Sequence, residues 1–349
     1  MLTKQKDNIL PTMDTIAKRL GVSKMTVSRV LNNHPYVSEK VRKKVLGLMK
    51  DLNYKPNLSA AVLSRRSSKT LGLIIQFYNN NILSTHYLME VMAGVEQAVD
   101  SSGYNLVLFS RITPKTRNYE DITNWYFSGL VKGFMLVAPS INSPLVKTLI
   151  RENITFVNIS SKSDNKNVNW ICSDSFKGGY LATEHLIKLG HKNIGFIGGP
   201  ADRADAIERE NGYLRALGHY DIKCQKQYMI SGDFEQKLAY RAAMKLLALG
   251  TPPTGIFAAN DLMALGAMQA VREKGLSVPK DISIVGFDNI DLALTAEPTL
   301  TTINQDAELL GKLAAEYLIN HVKDKFNPVL QKTLDVSLIK RESTAPPRK

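Results

Sequence analysis

Three closely spaced side chains, Lys24, Met25 and Arg29, are of the types that read base edges in the major groove of DNA. Lys and Arg donate hydrogen bonds to guanine O6 and N7, and Met makes apolar contact with the thymine methyl group. Hydroxyl and amide side chains around them suit phosphate oxygens, contacts that position a protein on DNA without specifying sequence. These are Thr12, Ser23, Thr26, Ser28 and Asn32.

The local pattern predicts short helices that would present these side chains. Thr12 and Ser23 have the type of N-cap residues, and Gly21 between them ends the first helix. Two short helices joined by a tight turn with Gly form a helix-turn-helix. A third helix is predicted from Ser38, with apolar residues along one face. That face consists of Val41, Val45, Leu48, Met49 and Leu52. The three helices can share a small core and leave the second one exposed.

The positive charge of the chain is concentrated at its beginning. Residues 1–70 hold 15 Lys and Arg against 4 Asp and Glu, a net charge of +11 out of +13 for the whole chain. A short basic head on a nearly neutral body is the electrostatic pattern of a protein that binds a polyanion. A solvated basic tail would lack the apolar periodicity found here, so a folded DNA-binding head is the better interpretation.

Length and composition exclude several other classes of protein. A chain of 349 residues exceeds one ordinary domain. No run approaches the roughly 20 apolar residues of a membrane-spanning helix, and residues 1–7 lack the apolar region of a secretory signal. Cys172 and Cys224 are too few for a disulfide framework, and none of the six histidines has metal-site spacing. We therefore expect a cytoplasmic protein without metal, membrane contact or cofactor.

From Leu71 onward the sequence alternates short apolar runs with amphipathic segments. Apolar strands bounded by Gly or Pro, with a helix between each pair, indicate buried parallel sheets. The predicted strands are 71–75, 105–109, 133–137, 154–157, 193–197, 255–258 and 282–287. Seven such units suit two doubly wound α/β lobes rather than one.

Polar and aromatic residues that follow these strands predict a binding cleft. Ligands of open α/β sheets bind at the carboxyl ends of the strands. The residues at or near those ends are Phe77, Asn158, Arg203, Arg209, Asn260 and Asp288. Carboxylate and guanidinium groups can each bridge adjacent hydroxyls, so Arg209 and Asp288 predict a polyhydroxylated ligand. An ion pair between lobes without a ligand is the alternative, and it is most open for Phe77, Asn158 and Arg203.

The first 57 residues resemble the headpiece of the lactose and galactose repressor (LacI/GalR) family. The resemblance rests on residues 12–32, 37–42 and 52–57, and it continues to Arg341. It implies that the headpiece covers residues 1–56 and that a hinge helix and linker cover 57–70. In the hinge, it implies that Leu63 wedges into the minor groove and that Ala60 lets two hinge helices approach. Core packing is the alternative role for Leu63. Tyr54 and Asn57 complete the implied DNA-binding set.

For the remainder, the resemblance implies two lobes similar to those of periplasmic sugar-binding proteins, spanning 71–341. The N-lobe would hold 71–160 and 299–326, and the C-lobe 161–298 and 327–341, with a short tail at 342–349. Crossings between lobes are expected near Ser160, at Pro298-Thr299 and between His321 and Lys332. The family implies effector contacts at Arg209, Phe234, Asn260 and Asp288. Tyr87 and Arg203 match positions of its purine-binding members, so a nucleobase stays open as an alternative to a sugar.

Together these observations predict a transcriptional repressor, acting as a homodimer on double-stranded DNA with a pseudo-palindromic operator. A small-molecule effector, expected to be a carbohydrate, would change its DNA affinity as an inducer or a corepressor. The rival class is an enzyme on a nucleotide-binding scaffold. The glycine-rich segment 195–200 does not fit G-x-G-x-x-G, and no catalytic set stands out. An architectural DNA-bending protein without effector is a third possibility. The sequence after Arg341 lacks a leucine heptad, so we do not expect a tetramer.

Overall fold

The computed structural model describes residues 11–31, 34–52, 54, 68–75, 86–109, 119–324 and 328–348. The chain divides into two compact units between Ser68 and Lys69. Within the described ranges, no helix is both long and apolar enough to cross a membrane. The hinge helix expected from residue 57 to 64 lies outside the described residues.

The first unit is the headpiece, and its three helices begin directly after the predicted residues Thr12, Ser23 and Ser38. They are α1 (Met13–Leu20), α2 (Lys24–Leu31) and α3 (Glu39–Asp51). Thr12 caps α1, because its hydroxyl accepts a hydrogen bond from the backbone N–H of Thr15, and Gly21 ends α1 in the left-handed conformation that glycine adopts freely. The small core consists of Ile16, Ala17, Val27, Val30, Val45 and Met49.

The second unit contains two six-stranded sheets, and the sheet nearer the beginning of the chain defines the N-lobe. Its strand order is β11-β5-β4-β3-β1-β2, and all of its pairs are parallel. The strands are β1 (Thr70–Ile75), β2 (Asn105–Phe109), β3 (Phe134–Val137), β4 (Phe156–Ile159), β5 (Asn169–Ser173) and β11 (Gln331–Leu334). The helices of this lobe are α4 (His86–Ser101), α5 (Glu120–Phe127), α6 (Pro144–Arg151) and α12 (Ala307–Lys323).

The second sheet, with the order β12-β10-β9-β8-β6-β7, defines the C-lobe. Its strands are β6 (Ile194–Gly198), β7 (Met229–Ser231), β8 (Gly255–Ala258), β9 (Ser283–Asp288), β10 (Thr301–Asn304) and β12 (Ser337–Ile339). Its helices are α7 (Ser175–Lys188), α8 (Ala204–His219), α9 (Gln236–Leu247), α10 (Asp261–Glu273) and α11 (Asp291–Thr295). Only β12 pairs antiparallel in this described sheet, against β10. The predicted class, a helix-turn-helix head followed by a two-lobed α/β domain, is confirmed.

Two kinds of error appear in the strand predictions. The fourth strand begins two residues later than expected, at Phe156, so Asn158 lies inside it rather than after it. Five further strands, β5, β7, β10, β11 and β12, were not predicted. They are three to five residues long, and two of them, β10 and β11, carry more polar than apolar residues. Backbone pairing with a neighbouring strand, not side-chain pattern, makes these segments strands.

These missed strands move all three crossings between the lobes. β5 still belongs to the N-lobe, so the first crossing lies at Asp174 and not near Ser160. β10 belongs to the C-lobe, which places the second crossing at Gln305-Asp306 and not at Pro298-Thr299. The third lies at Asp335-Val336, between β11 and β12, and not between His321 and Lys332.

The predicted tail at 342–349 is instead a packed part of the C-lobe as far as it is described, to Arg348. Ser343 is fully buried, and its hydroxyl donates to the carbonyl of Ile284 at 2.6 Å while accepting from the N–H of Thr301 at 2.8 Å. The carbonyl of Ala345 accepts from the hydroxyl of Ser283 at 2.9 Å. These hydrogen bonds attach the segment to the beginnings of β9 and β10, a contact that side-chain patterning does not reveal.

Candidate functional site

Helix α2 presents one face to solvent in the headpiece, and the base-reading candidates lie on it. Lys24, Met25 and Arg29 are all exposed to solvent. Met25 has 63% of its surface accessible, although methionine is usually buried in folded proteins. The opposite face of α2 buries Val27 and Val30. Lys24 forms an exposed ion pair with Asp14 at 2.8 Å, an interaction of small energy in water. One face of α2 is therefore accessible to DNA, while the opposite face packs against the core of the headpiece.

The hydroxyl residues around α2 already have local partners. The Ser23 hydroxyl accepts from the N–H of Thr26 at 3.1 Å, which is the capping bond predicted for α2. Thr12 does the same for α1. Tyr54 packs against the headpiece core, and burial raises the pKa of its hydroxyl although the nearby Lys24 lowers it. Asn32, Asn57, Ala60 and Leu63 lie outside the described residues.

The second unit contains a cleft at the carboxyl ends of β6, β8 and β9. Ligands of doubly wound sheets bind in this position, where the strand order reverses. The N-lobe contributes Tyr87, and the second crossing contributes Gln305. The full lining is Tyr87, Arg203, Asp205, Arg209, Phe234, Asn260, Leu262, Asp288, Ile290 and Gln305.

Arg209 is the centre of the charged groups in the cleft. Its side chain is 4% exposed, and its guanidinium lies 3.6 Å from Asp288 and 3.8 Å from Asp205. It donates to the carbonyl of Ala259 and stacks over the ring of Phe287, 3.7 Å from the centroid. A planar guanidinium can be held in this way by a carbonyl, two carboxylates and an aromatic face at once. These contacts hold the guanidinium of Arg209 in one position among the residues that line the cleft.

Two polar atoms in this group have no hydrogen-bond partner within the described part of the chain. They are Nε of Arg209, a donor, and Oδ1 of Asp205, an acceptor. The carboxylate of Asp205 lies 3.7 Å from Arg203 and 3.8 Å from Arg209, distances of ion pairs rather than of hydrogen bonds. Buried polar atoms are normally satisfied, so an unpartnered donor and an unpartnered acceptor on two residues that line the cleft favour a polar ligand.

Two aromatic rings form walls of the cleft. Phe234 packs against Gly199, where an added Cβ would lie 2.5 Å from its ring, so this position requires glycine. The backbone of Phe234 has φ 60°, a strained conformation for a bulky residue. Tyr87 hydrogen-bonds through its hydroxyl to Ser160, and burial raises the pKa of that hydroxyl. Both rings add apolar surface to the lining of the cleft.

Asp288 ends β9 with φ 120°, so its carboxylate is aimed by a backbone that L-residues rarely adopt. Burial raises its pKa to about 7, although Arg209 opposes the shift and Gln305 donates to it at 2.5 Å. Below it, the fully buried carboxyl of Asp261 accepts from Thr302 and from the N–H of Ile290. Burial and the nearby Asp288 raise the pKa of Asp261 well above its ordinary value. Near neutral pH, Asp288 is therefore poised between its neutral and its charged form.

Comparison with known proteins relates both regions to characterised regulators. Residues 12–57 match the model for bacterial regulatory proteins of the lacI family, and residues 183–344 match the periplasmic binding protein-like domain. The chain is 34% identical to the probable HTH-type transcriptional repressor ExuR of Bacillus subtilis (strain 168), over 92% of this chain and 96% of that protein. The chain belongs to the LacI family.

Solved structures of family members have the same fold. The Lac repressor dimer bound to operator and the anti-inducer ONPF is 31% identical, with a TM-score of 0.82 over 96% of this chain and 99% of that one. The transcriptional regulator CelR in its cellobiose complex is 30% identical, with a TM-score of 0.73 over 95% of this chain and 99% of that one. This LacI-family protein is accordingly a DNA-binding transcriptional repressor with an effector-binding domain, and its function is not enzymatic.

The structure of this repressor brings most of the candidate effector residues together. The cleft is lined by Tyr87, Arg203, Arg209, Phe234, Asn260 and Asp288. Asn260 also caps α10, since its side-chain oxygen accepts from the N–H of Met263 at 2.8 Å. Asn158 is buried inside β4 and is not among the residues that line the cleft, and Phe77 lies outside the described residues.

Sequence reasoning missed four residues of the cleft: Asp205, Leu262, Ile290 and Gln305. Asp205 could have been found, because it precedes Arg209 by one helical turn and so shares its face of α8. Gln305 directly follows β10, so the rule that ligands bind after strands applies to it as well. It was missed because β10 itself was not predicted.

Proposed function

We propose that this repressor is controlled by a polyhydroxylated small molecule, a sugar or sugar derivative, bound in the cleft between the lobes. The observation that carries the proposal is the row of Asp205, Arg209 and Asp288, with an unpartnered donor on Arg209 and an unpartnered acceptor on Asp205. A hydroxyl group both donates and accepts hydrogen bonds, so neighbouring hydroxyls meet both requirements at once.

The aromatic residues support the same class of ligand. Phe234 and Tyr87 line the cleft beside the charged row. Pockets for small ligands combine such apolar surface with a few placed polar groups, and here the polar groups alternate in sign. The related regulator CelR is known in a complex with cellobiose, which agrees with a carbohydrate effector. A nucleobase is the second candidate, favoured by the aromatic Tyr87 beside Arg203 in the same cleft.

For the headpiece, we propose that the exposed face of α2 enters the major groove, with Lys24, Met25 and Arg29 against base edges. Contacts to the backbone and the hinge contacts are assigned, on the family resemblance, to Thr12, Ser23, Thr26, Ser28, Asn32, Tyr54, Asn57, Ala60 and Leu63. Two copies would read the half-sites of a pseudo-palindromic operator in the cytoplasm. The Lac repressor dimer bound to operator supports this arrangement.

A thermal-shift screen tests the effector class directly. Purified protein is mixed with cellobiose, ribose, galacturonate, glucuronate, guanine or hypoxanthine, and the unfolding midpoint is measured. A compound that binds only the folded state raises the midpoint in proportion to the logarithm of its concentration over Kd. We expect at least one of the four carbohydrates to raise the midpoint, and neither purine to do so. A shift with a purine alone would establish the nucleobase function instead.

The same screen is repeated with two variants of α8. Arg209→Met removes the central cation of the cleft, whereas Arg215→Met removes an exposed cation from the same helix. We expect the carbohydrate shift to disappear in Arg209→Met and to persist in Arg215→Met. An operator duplex, selected from a random-sequence pool with the wild-type protein, then shows whether the active compound strengthens or weakens DNA binding.

A further inference from the structure

Gln305 connects the two lobes beside the cleft through both ends of its side-chain amide. Its N–H group donates to Oδ1 of Asp288 at 2.5 Å, and its carbonyl oxygen accepts from the hydroxyl of Ser173 at 2.8 Å. These two contacts fix the orientation of the amide, because only the nitrogen donates and only the oxygen accepts. All three residues are buried, with Gln305 only 2% exposed.

The partners of Gln305 belong to different lobes. Ser173 is the last residue of β5 in the N-lobe sheet, and Asp288 is the last residue of β9 in the C-lobe sheet. Gln305 itself lies at the second crossing, between β10 and the N-cap residue of α12. It also lines a second, smaller cavity together with Ser173. The amide therefore joins the end of an N-lobe strand to the carboxylate that we assign to the effector.

We propose that Gln305 is a positioning residue that couples the state of Asp288 to the arrangement of the two lobes. A hydroxyl that donates to Asp288 competes with the amide N–H for the same carboxylate oxygen. Because the amide is planar and held at both ends, a shift at Asp288 also displaces the oxygen that holds Ser173. Coupling of this kind needs a physical connection between the two sites, and the buried amide, bonded to a residue of each lobe, provides that connection.

The proposal predicts non-additivity between Asp288 and Ser173, and operator affinity measures it without any effector. Kd for the selected operator duplex is determined by fluorescence anisotropy for Asp288→Asn, Ser173→Ala and the double variant. We expect the effect of the double variant to differ from the product of the single effects by about threefold or more, as for residues in one hydrogen-bond network. In a Gln305→Met background, the same two substitutions should become additive.

This background isolates the side-chain amide. The single proton of the Ser173 hydroxyl can alternatively be donated to the backbone carbonyl of Gln305, 3.3 Å away, and that longer contact is still available in Gln305→Met. The control pair combines Asp288→Asn with Thr183→Val, which removes another fully buried hydroxyl, one that donates to the carbonyl of Gly179 within α7. Since Thr183 does not share a partner with Asp288, this pair should be additive.

Additivity of Asp288→Asn and Ser173→Ala in the wild-type background would overturn the proposal, as would non-additivity that persists in Gln305→Met. Cooperative thermal unfolding checks that each variant is folded, and Asp288→Ser and Gln305→Leu replace a variant that is not. The inference rests on the proposed role of Asp288 in effector binding. Its failure is distinct from failure of the carbohydrate proposal, because this experiment contains no effector and the thermal-shift screen contains no DNA.

Discussion

The headpiece and the cleft present functional residues in opposite ways. On α2, Lys24, Met25 and Arg29 extend into solvent, and the residues that hold the helix are different ones, such as Val27 and Val30. In the cleft, Arg209 and Asp288 are 3% and 6% exposed. They contact one another and are held by neighbouring backbone and rings. In the headpiece, the residues proposed to contact DNA differ from those that stabilise the helix. In the cleft, the residues proposed to bind the effector also stabilise one another.

This difference has an energetic consequence. An exposed side chain on a packed helix can be changed with little effect on folding, because surface substitutions shift stability by about 0.5 kcal/mol or less. A buried charge within a network stabilises its partners, so its removal leaves them unpaired. Substitution of an exposed residue of α2 should therefore change DNA binding without changing the free energy of unfolding. Substitution of a buried charged residue of the cleft should change both effector binding and the free energy of unfolding.

The largest effect is expected for Arg209→Met. Loss of the guanidinium leaves Asp205 and Asp288 buried without their shared cation, which should lower the free energy of unfolding by about 3 kcal/mol. Urea unfolding followed by circular dichroism measures the change. Arg215→Met, on the exposed face of the same helix, should stay within about 0.5 kcal/mol of the wild type. Equal effects of the two substitutions would show that the cleft charges do not support the fold.

Arg29→Ala should have the next largest effect, and on DNA binding alone. Loss of one bidentate contact to a base costs about 1–3 kcal/mol, or roughly fivefold to 150-fold in operator Kd. The free energy of unfolding should change by less than about 0.5 kcal/mol, because Arg29 is exposed. Lys50→Ala, an exposed cation at the end of α3, serves as the control. Anisotropy with operator and scrambled duplexes distinguishes the two, and unchanged operator affinity in Arg29→Ala would remove α2 as the reading helix.

The third prediction concerns pH, and it applies to the cleft because a carboxyl group there has a pKa near neutrality. The pKa of Asp288 is raised to about 7 by burial. A neutral carbohydrate that donates a hydroxyl to the carboxylate requires the charged form, so its affinity should rise by up to about tenfold from pH 6 to pH 8. An anionic ligand group placed beside Asp288 would give the opposite slope. Calorimetric titration at several pH values measures it, and Asp288→Asn should flatten the profile.

The two regions also differed in how far the sequence predicted them. The helices of the headpiece were predicted from local signals: the caps at Thr12 and Ser23, the stop at Gly21 and the apolar face of α3. The structure has the helices where these signals predicted them. Local signals suffice because each short helix is defined by its own caps and by one small core. The positions of the three described helices of the headpiece were therefore predictable from local signals alone.

In the cleft, the rule that ligand residues follow strands located Arg209, Asn260 and Asp288 without any contact being known. The rule failed wherever a strand was misplaced or missed, as for Asn158 and Gln305. β5 and β10 also pair with strands far along the chain, β11 and β12, so the three crossings could not be predicted from periodicity. The distances between Asp205, Arg209 and Asp288 likewise depend on tertiary packing and not on any local pattern.

The smallest effect is expected for Thr12→Ala, and it tests whether support and recognition are fully separate in the headpiece. Thr12 caps α1 through a hydrogen bond of 3.2 Å from the N–H of Thr15, and it is also a proposed phosphate contact. Loss of the cap should destabilise the headpiece by about 1 kcal/mol, and Thr12→Ser should restore it because serine caps equally well. Local hydrogen exchange of α1 amides measures the cap, and operator affinity measures the contact. If Thr12→Ser restores both, the one hydroxyl serves folding and DNA binding together. If exchange is unchanged in Thr12→Ala, the capping role is wrong, and any loss of affinity belongs to the phosphate contact alone.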